Sequence, residues 1–196
     1  MEAKEAKTAG LLDGCVVLDL TRVLAGPYCG MLLADMGATV IKVENPNGGD
    51  DTRKMGPFIN DNSVYYANFN RSKMGCTLNL KDPEGKKLFL ELVKKADVVI
   101  ENYRPGTMEK LGLGYEALKV ANPGIIYGAV SGFGHTGPLS KRAGYDIVGQ
   151  AMGGLMSTTG WPTTNRCGRW CRSGPGGTPS MRSTISSIPQ AVRPAR

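Results

Sequence analysis

The chain has 196 residues, 41% hydrophobic and 21% charged, which suits one domain with a substantial core and excludes wholesale disorder. Its net charge of +7 is carried by one end: residues 1–161 hold 18 Lys and Arg against 17 Asp and Glu, whereas 162–196 hold six arginines and no acid. The body is therefore not basic, and a nucleic-acid role would rest on the tail alone. The five cysteines, Cys15, Cys29, Cys76, Cys167 and Cys171, form no metal-ligand pattern, so no metal is expected. An odd, scattered set without a secretory signal fits free thiols in a reducing compartment. The opening Met1-Glu2-Ala3-Lys4-Glu5-Ala6-Lys7 is neither a signal nor a transit peptide, and no apolar run approaches the roughly 18 residues of a membrane span. The expectation is a soluble, cytoplasmic protein with no membrane or nucleic-acid partner.

In chain order, Cys15–Leu20 is a continuous apolar strand of the buried type. Gly26-Pro27 opens a helix, because proline suits a first turn whose N–H would be unpaired anyway, and Gly37 ends it. Thr39–Val43 is a second strand, completing a β-α-β unit. Residues 45–75 read as a long excursion around Tyr65-Tyr66, followed by a short strand over Cys76–Leu80. Asp82-Pro83 is a clean helix start, and Leu88, Phe89, Leu92 and Val93 follow at helical spacing up to Lys94-Lys95. Strands are expected over Asp97–Glu101 and Gly124–Val130, with short helices over Thr107–Leu111 and Tyr115–Val120 between them. One further helix is expected over Tyr145–Met156. Alternating strands and helices predict an α/β fold with a mainly parallel sheet. After Trp161 periodicity vanishes into Arg, Ser, Thr, Gly and Pro, a composition that predicts a basic, disordered tail over 162–196, as 1–10 predicts a flexible N-terminus.

Three features bear on chemistry. Strand ends are followed by turns rich in Gly, Asn and Pro at Thr21–Pro27, Glu101–Gly106 and Ser131–Pro138. Ligands of parallel α/β sheets gather at such ends, where helix N-termini face anionic groups, although ordinary βα turns look the same. No GxGxxG or Walker A sequence occurs, so neither a nicotinamide nor an ATP site is indicated. Lys73, Lys81, Arg104, Lys110 and Arg142 stand beside these turns, either converging on a phosphate-bearing ligand or lying as separate solvated charges. His135, the single histidine, sits in a loop with no partner visible in the sequence, which favours a surface role over acid–base work.

Taken together, residues 11–160 resemble the N-terminal half of family III CoA-transferases, the formyl-CoA transferase and carnitine CoA-transferase group. The markers run in order from Leu12-Asp13-Gly14, Val17–Thr21 and Ala25-Gly26-Pro27 through Leu33–Ala38 and Val40–Glu44. Gly48–Arg53, Asn70–Lys73, Asn79-Leu80-Lys81, Glu101–Gly106 and Arg142–Asp146 follow. The resemblance implies transfer of coenzyme A from an acyl-CoA to a small carboxylic acid, through attack of an aspartate on the thioester and a mixed anhydride. It also implies a Rossmann-like region that holds the nucleotide, here incomplete relative to a fold in which two chains interlock as a homodimer. By the family's pattern, CoA contacts fall on Leu24, Ala25, Leu78, Lys81, Asn102, Tyr103, Arg104 and Lys110, and near Arg142 and Tyr145.

Two departures stand out. Asn45 occupies a position where many members carry an arginine, and the last acid of the chain is Asp146, so no nucleophilic aspartate follows the Ser157–Gly160 segment. The tail reads as a frameshifted or alternatively spliced end. Two other functions stay open: an enzyme like α-methylacyl-CoA racemase, disfavoured because Tyr145 stands where that enzyme uses a histidine, and a non-catalytic CoA-binding fragment that captures a full-length subunit.

Overall fold

The computed structural model describes residues 10–158 and the pair 192–193. The chain begins with β1 (Val16–Asp19), α1 (Ala25–Asp35) and β2 (Thr39–Glu44). A 3-10 turn (Asp51–Lys54), the hairpin β3 (Phe58–Ile59) and β4 (Asn62–Ser63), and α2 (Val64–Asn70) lead to β5 (Met74–Thr77). Then come α3 (Pro83–Val93), β6 (Val98–Glu101), α4 (Thr107–Lys110), α5 (Tyr115–Ala121) and β7 (Ile126–Ala129). The helices α6 (Asp146–Met152) and α7 (Leu155–Thr158) and a two-residue strand, β8 (Val192–Arg193), complete the described elements. The main sheet runs β5-β2-β1-β6-β7-β8, parallel throughout except for β8. The chain thus winds outward from β1 in one direction, returns, and winds in the other, so the strand order reverses between β1 and β6. This is the α/β, Rossmann-like sheet with flanking helices that the sequence predicts.

The strands alternate faces as their period of two requires. Leu18, Leu20, Val43 and Val99 point to one face, where Phe89 and Val93 of α3, Met108 of α4, Leu118 of α5, Leu113 and Ile125 bury against them. Val17, Val40 and Ile100 point to the other, beneath Leu33 and Ala34 of α1. On that second face the next inward positions are Asp19 and Lys42, both fully buried. The α1 face therefore changes from apolar to ionic towards the carboxyl ends of the strands.

Local chemistry explains the element ends. The Asp82 carboxylate accepts the Glu84 N–H at 2.9 Å, with Pro83 at the first helical position, so α3 starts where the sequence places it. A Cβ on Gly26 would stand 2.4 Å from Thr21 Cβ, so only glycine lets α1 approach the end of β1 this closely. Two expectations need correction. The strand read at Cys76–Leu80 lies at Met74–Thr77, because Leu78 and Leu80 pack on the core as loop residues while the true edge strand exposes Met74. The single helix read over Tyr145–Met156 is broken between α6 and α7, where Gly154 takes φ +75°. The expectations for residues 1–10 and 162–196 fall outside the described residues, save Gly10 and β8.

Candidate functional site

Because the central strands are parallel, the turns after β5, β2, β1, β6 and β7 share one edge of the sheet. The strand order reverses between β1 and β6 at this edge, and open α/β sheets bind ligands in the crevice outside such a reversal. The turn from β1 to α1 and the turn from β6 to α4 meet there. The Asn102 side chain spans them, accepting the Arg22 N–H at 2.7 Å and donating to the Arg22 C=O at 2.7 Å. Leu24 occupies the N-cap of this 11-residue helix without a side-chain cap hydrogen bond, so among the described residues no side chain caps the first amides of α1, which start at this edge.

A buried ionic layer supports the crevice from the α1 face. Lys73 Nζ lies 2.7 Å from Asp19 Oδ2 and also donates to the Pro27 C=O at 2.8 Å and Asn70 Oδ1 at 3.1 Å. Lys42 Nζ lies 3.0 Å from Asp50 Oδ2 and donates to the Thr21 C=O at 2.8 Å. Burial raises the Asp50 carboxyl, but hydrogen bonds from Thr52 and the Lys42 charge more than offset it and hold it below the ordinary value. Burial likewise lowers Lys73, against the pull of Asp19. Lys73 therefore belongs to the fold, not to the set of loop cations in which the sequence placed it: its side chain is 1% exposed and fully engaged. At the end of β2, Glu44 receives Arg53 Nε at 2.8 Å and the Tyr66 hydroxyl at 2.6 Å, and the Arg53 guanidinium covers the Tyr66 ring at 3.9 Å. Burial pushes Glu44 up, and these donors bring it below its usual range. Asn45 beside it caps its own turn, accepting the Asn47 N–H at 2.9 Å.

At the other side of the crevice, Glu101 ends β6 with 1% exposure. Burial first, and the Glu109 carboxylate second, push it up to about 7, against hydrogen bonds from the Tyr103 N–H at 2.6 Å and the Tyr127 hydroxyl at 3.2 Å. His135 Nε2 stands 3.6 Å from Glu101 Oε1, within ion-pair range, which supplies the partner that the sequence did not reveal. The post-β7 segment holding His135 is pinned by Gly132 against Gly144, where a Cβ on either would lie 2.2 Å from the other's Cα.

The sequence-selected residues distribute along this edge. Leu24 and Ala25, half-buried, open α1 beside the crevice. Asn102 and Tyr103 form its opposite wall, Tyr103 packing on the core and Arg104 standing exposed one residue on. Leu78 follows β5, its N–H bonded to the Glu44 C=O at 2.9 Å, and Lys81 lies exposed just before α3. Lys110 ends α4 at the surface. Arg142 and Tyr145 share the segment after β7, where Tyr145 is 67% exposed at the start of α6. The sequence missed Asp19, Lys42, Asp50 and Glu101 as a group, because charge inside a strand reads as exposure and Asp50 sits in a loop, as the cap of the 3-10 turn. Among the described residues no group of His, Cys, Asp and Glu side chains is arranged to hold a metal ion, and no helix is long and apolar enough to cross a membrane.

Comparisons with known proteins agree with this architecture. The model of CoA-transferase family III matches residues 12–175, running past the boundary read at Trp161. The acetyl-CoA:oxalate CoA-transferase of Acetobacter aceti is 50% identical over 161 residues, 82% of this chain and 41% of that protein. The human succinyl-CoA:glutarate CoA-transferase is 53% identical over 150 residues, 76% of this chain and 34% of that protein. A CAIB/BAIF family protein from Brucella suis, at 47% identity, superposes with a TM-score of 0.76 over 81% of this chain and 43% of its own. The chain spans about two-fifths of the length of these relatives. With the family model matching most of its length, the chain belongs to CoA-transferase family III.

Proposed function

We propose that this chain binds coenzyme A or an acyl-CoA at the β1/β6 crevice, as the nucleotide-holding region of an enzyme that moves CoA between small carboxylic acids. The observation that carries this is the convergence of the Leu24-Ala25 and Asn102–Arg104 turns at the strand-order reversal, next to an α1 N-terminus with no side-chain cap. Phosphate groups suit such a terminus because its free N–H groups and the helix dipole both favour negative charge. Lys81, Arg104, Lys110 and Arg142 supply exposed cations around the same edge, and Leu78, Tyr103 and Tyr145 supply apolar and aromatic surface for the pantetheine and adenine. The binding region corresponds to residues 11–161, with 1–10 and 162–196 outside it.

The acyl-transfer step needs a carboxylate nucleophile, and no acid follows Asp146 in this sequence. We infer that the residues present bind and orient the thioester rather than attack it, because Arg172–Gly177 stand where the family resemblance expects the attacking aspartate. In the intact enzyme the partners are an acyl-CoA, a small carboxylic acid and a second copy of the chain. Calorimetry with CoA tests the proposal: the wild-type chain binds with a Kd in roughly the 1 μM–1 mM range of substrate sites. It gives no CoA transfer between succinyl-CoA and glutarate when assayed alone. Absence of binding would overturn the site, and turnover by the isolated chain would overturn the assignment of the nucleophile.

A further inference from the structure

The turn joining β1 to α1 is held at three consecutive residues by side chains from β1, β2 and the segments that follow β2 and β6. Thr21 gives its N–H to Asp19 Oδ1 at 2.8 Å, and its C=O accepts Lys42 Nζ at 2.8 Å. Arg22 has both backbone groups taken by Asn102, each at 2.7 Å. Val23 gives its N–H to Asp50 Oδ1 at 3.2 Å, and that carboxylate is itself fixed by Lys42 at 3.0 Å and by the Thr52 N–H at 3.0 Å. The amide orientation of Asn102 follows from its partners, since an N–H demands the oxygen and a C=O demands the NH2. Held this way, Val23 adopts φ +69°, a left-handed conformation that a β-branched residue strongly disfavours. Left free, the turn would relax and carry Leu24 and the start of α1 with it.

From this geometry we infer that Asn102 and the Lys42–Asp50 pair are positioning residues, which lock Val23 in its left-handed turn and so aim the first amides of α1 into the crevice. Asn102 is then committed to the turn through its side chain and does not contact the nucleotide with it. The inference rests on the proposed CoA site. Its specific consequence is that the need for Asn102 comes from the conformation of residue 23. Asparagine is several-fold enriched in the left-handed region, so Val23→Asn supplies that conformation without the clamp.

The test uses the full chain as wild type, Asn102→Ala, Val23→Asn and the double variant, with CoA titrated by calorimetry and amide exchange followed at residues 21–26. Asn102→Ala weakens CoA binding about tenfold, as expected if the competent turn falls to a minor population, and speeds exchange at Arg22 and Val23. Adding Val23→Asn restores most of the lost affinity. An unchanged affinity in Asn102→Ala, despite faster exchange at Arg22, would overturn the inference while leaving the CoA site standing. A loss that Val23→Asn does not restore would also overturn it, in favour of direct contact between Asn102 and the ligand. No CoA binding by the wild type would overturn the proposed site and the positioning role together. If Asn102→Ala does not fold, Asn102→Asp keeps the acceptor for the Arg22 N–H but loses the donor to its C=O. The same rescue by Val23→Asn is then read against that variant, which cancels the effect of the added charge.

Discussion

The two faces of the sheet are built on different physics. Beneath α3, α4 and α5 the inward positions are apolar from Leu18 and Val99 to Phe89, Val93 and Leu118 and are held by burial, until Glu101 closes the row at the carboxyl end of β6. Beneath α1 and α2 the apolar row of Val17, Val40 and Ile100 gives way within one inward step to Asp19 and Lys42, paired with Lys73 and Asp50. A buried ion pair contributes little net stability, because desolvation offsets its Coulomb attraction. It does fix direction: each of these side chains also holds a backbone group or a neighbour in the β1–α1 turn. The apolar face makes the fold, and the ionic face sets the shape of the crevice.

The strongest way to break that contrast is to damage both faces equally. Lys42→Met leaves Asp50 buried without its partner and costs about 3–5 kcal/mol in a denaturant titration. Phe89→Ala on the apolar face costs a similar amount, about 3–5 kcal/mol. Of the two, only Lys42→Met also weakens CoA binding, measured at a temperature where both variants are folded. Equal loss of affinity in the two would erase the division between the faces.

A smaller effect sharpens the comparison by pH. Glu101 ends β6 on the same face as Val99, and its carboxyl keeps its proton up to about pH 7 in the folded chain against an ordinary value of 4.5. A raised acid stabilises the fold when protonated, so its contribution is full below pH 4.5 and is lost as pH rises to 7. At about 1.4 kcal/mol per pKa unit the loss is about 3 kcal/mol at most, and Glu101→Gln flattens the stability profile across this window. Lowered Asp50 and Glu44 work in the opposite sense, losing stability as pH falls through their folded values, so their slope lies in the acid range and survives Glu101→Gln. The smallest effect is at the rim. Arg22 and Asp51 pair at the surface with roughly half of each side chain exposed, and Asp51→Ala changes stability by less than about 1 kcal/mol.

How much of this was legible in the sequence depended on which face carried it. Residues that cap or pack, such as Asp82-Pro83 before α3, Gly26-Pro27 in α1 and the run Val98–Glu101, announce themselves through local pattern, and the order of strands and helices follows. The edge strand β5 does not, because its residues Met74–Thr77 are largely exposed while the apolar Leu78 and Leu80 beside it are loop. The break between α6 and α7 at Gly153-Gly154 was overridden by the small-residue helical pattern around it. The proposed site residues on turns were selected through strand-end position and family resemblance. Their supports were not: Lys42, Asp50, Asp19 and Lys73 are tertiary partners separated by up to 54 residues, and only the folded sheet brings them together.

The central claim is that the β1/β6 crevice receives the nucleotide of coenzyme A. Following backbone amide resonances while CoA is titrated tests it most directly. The largest shifts are expected at Leu24–Gly26 and Tyr103–Gly106, with little change at Leu118 and Ile125 on the apolar face. Shifts confined to that face, or none at saturating CoA, would contradict the account.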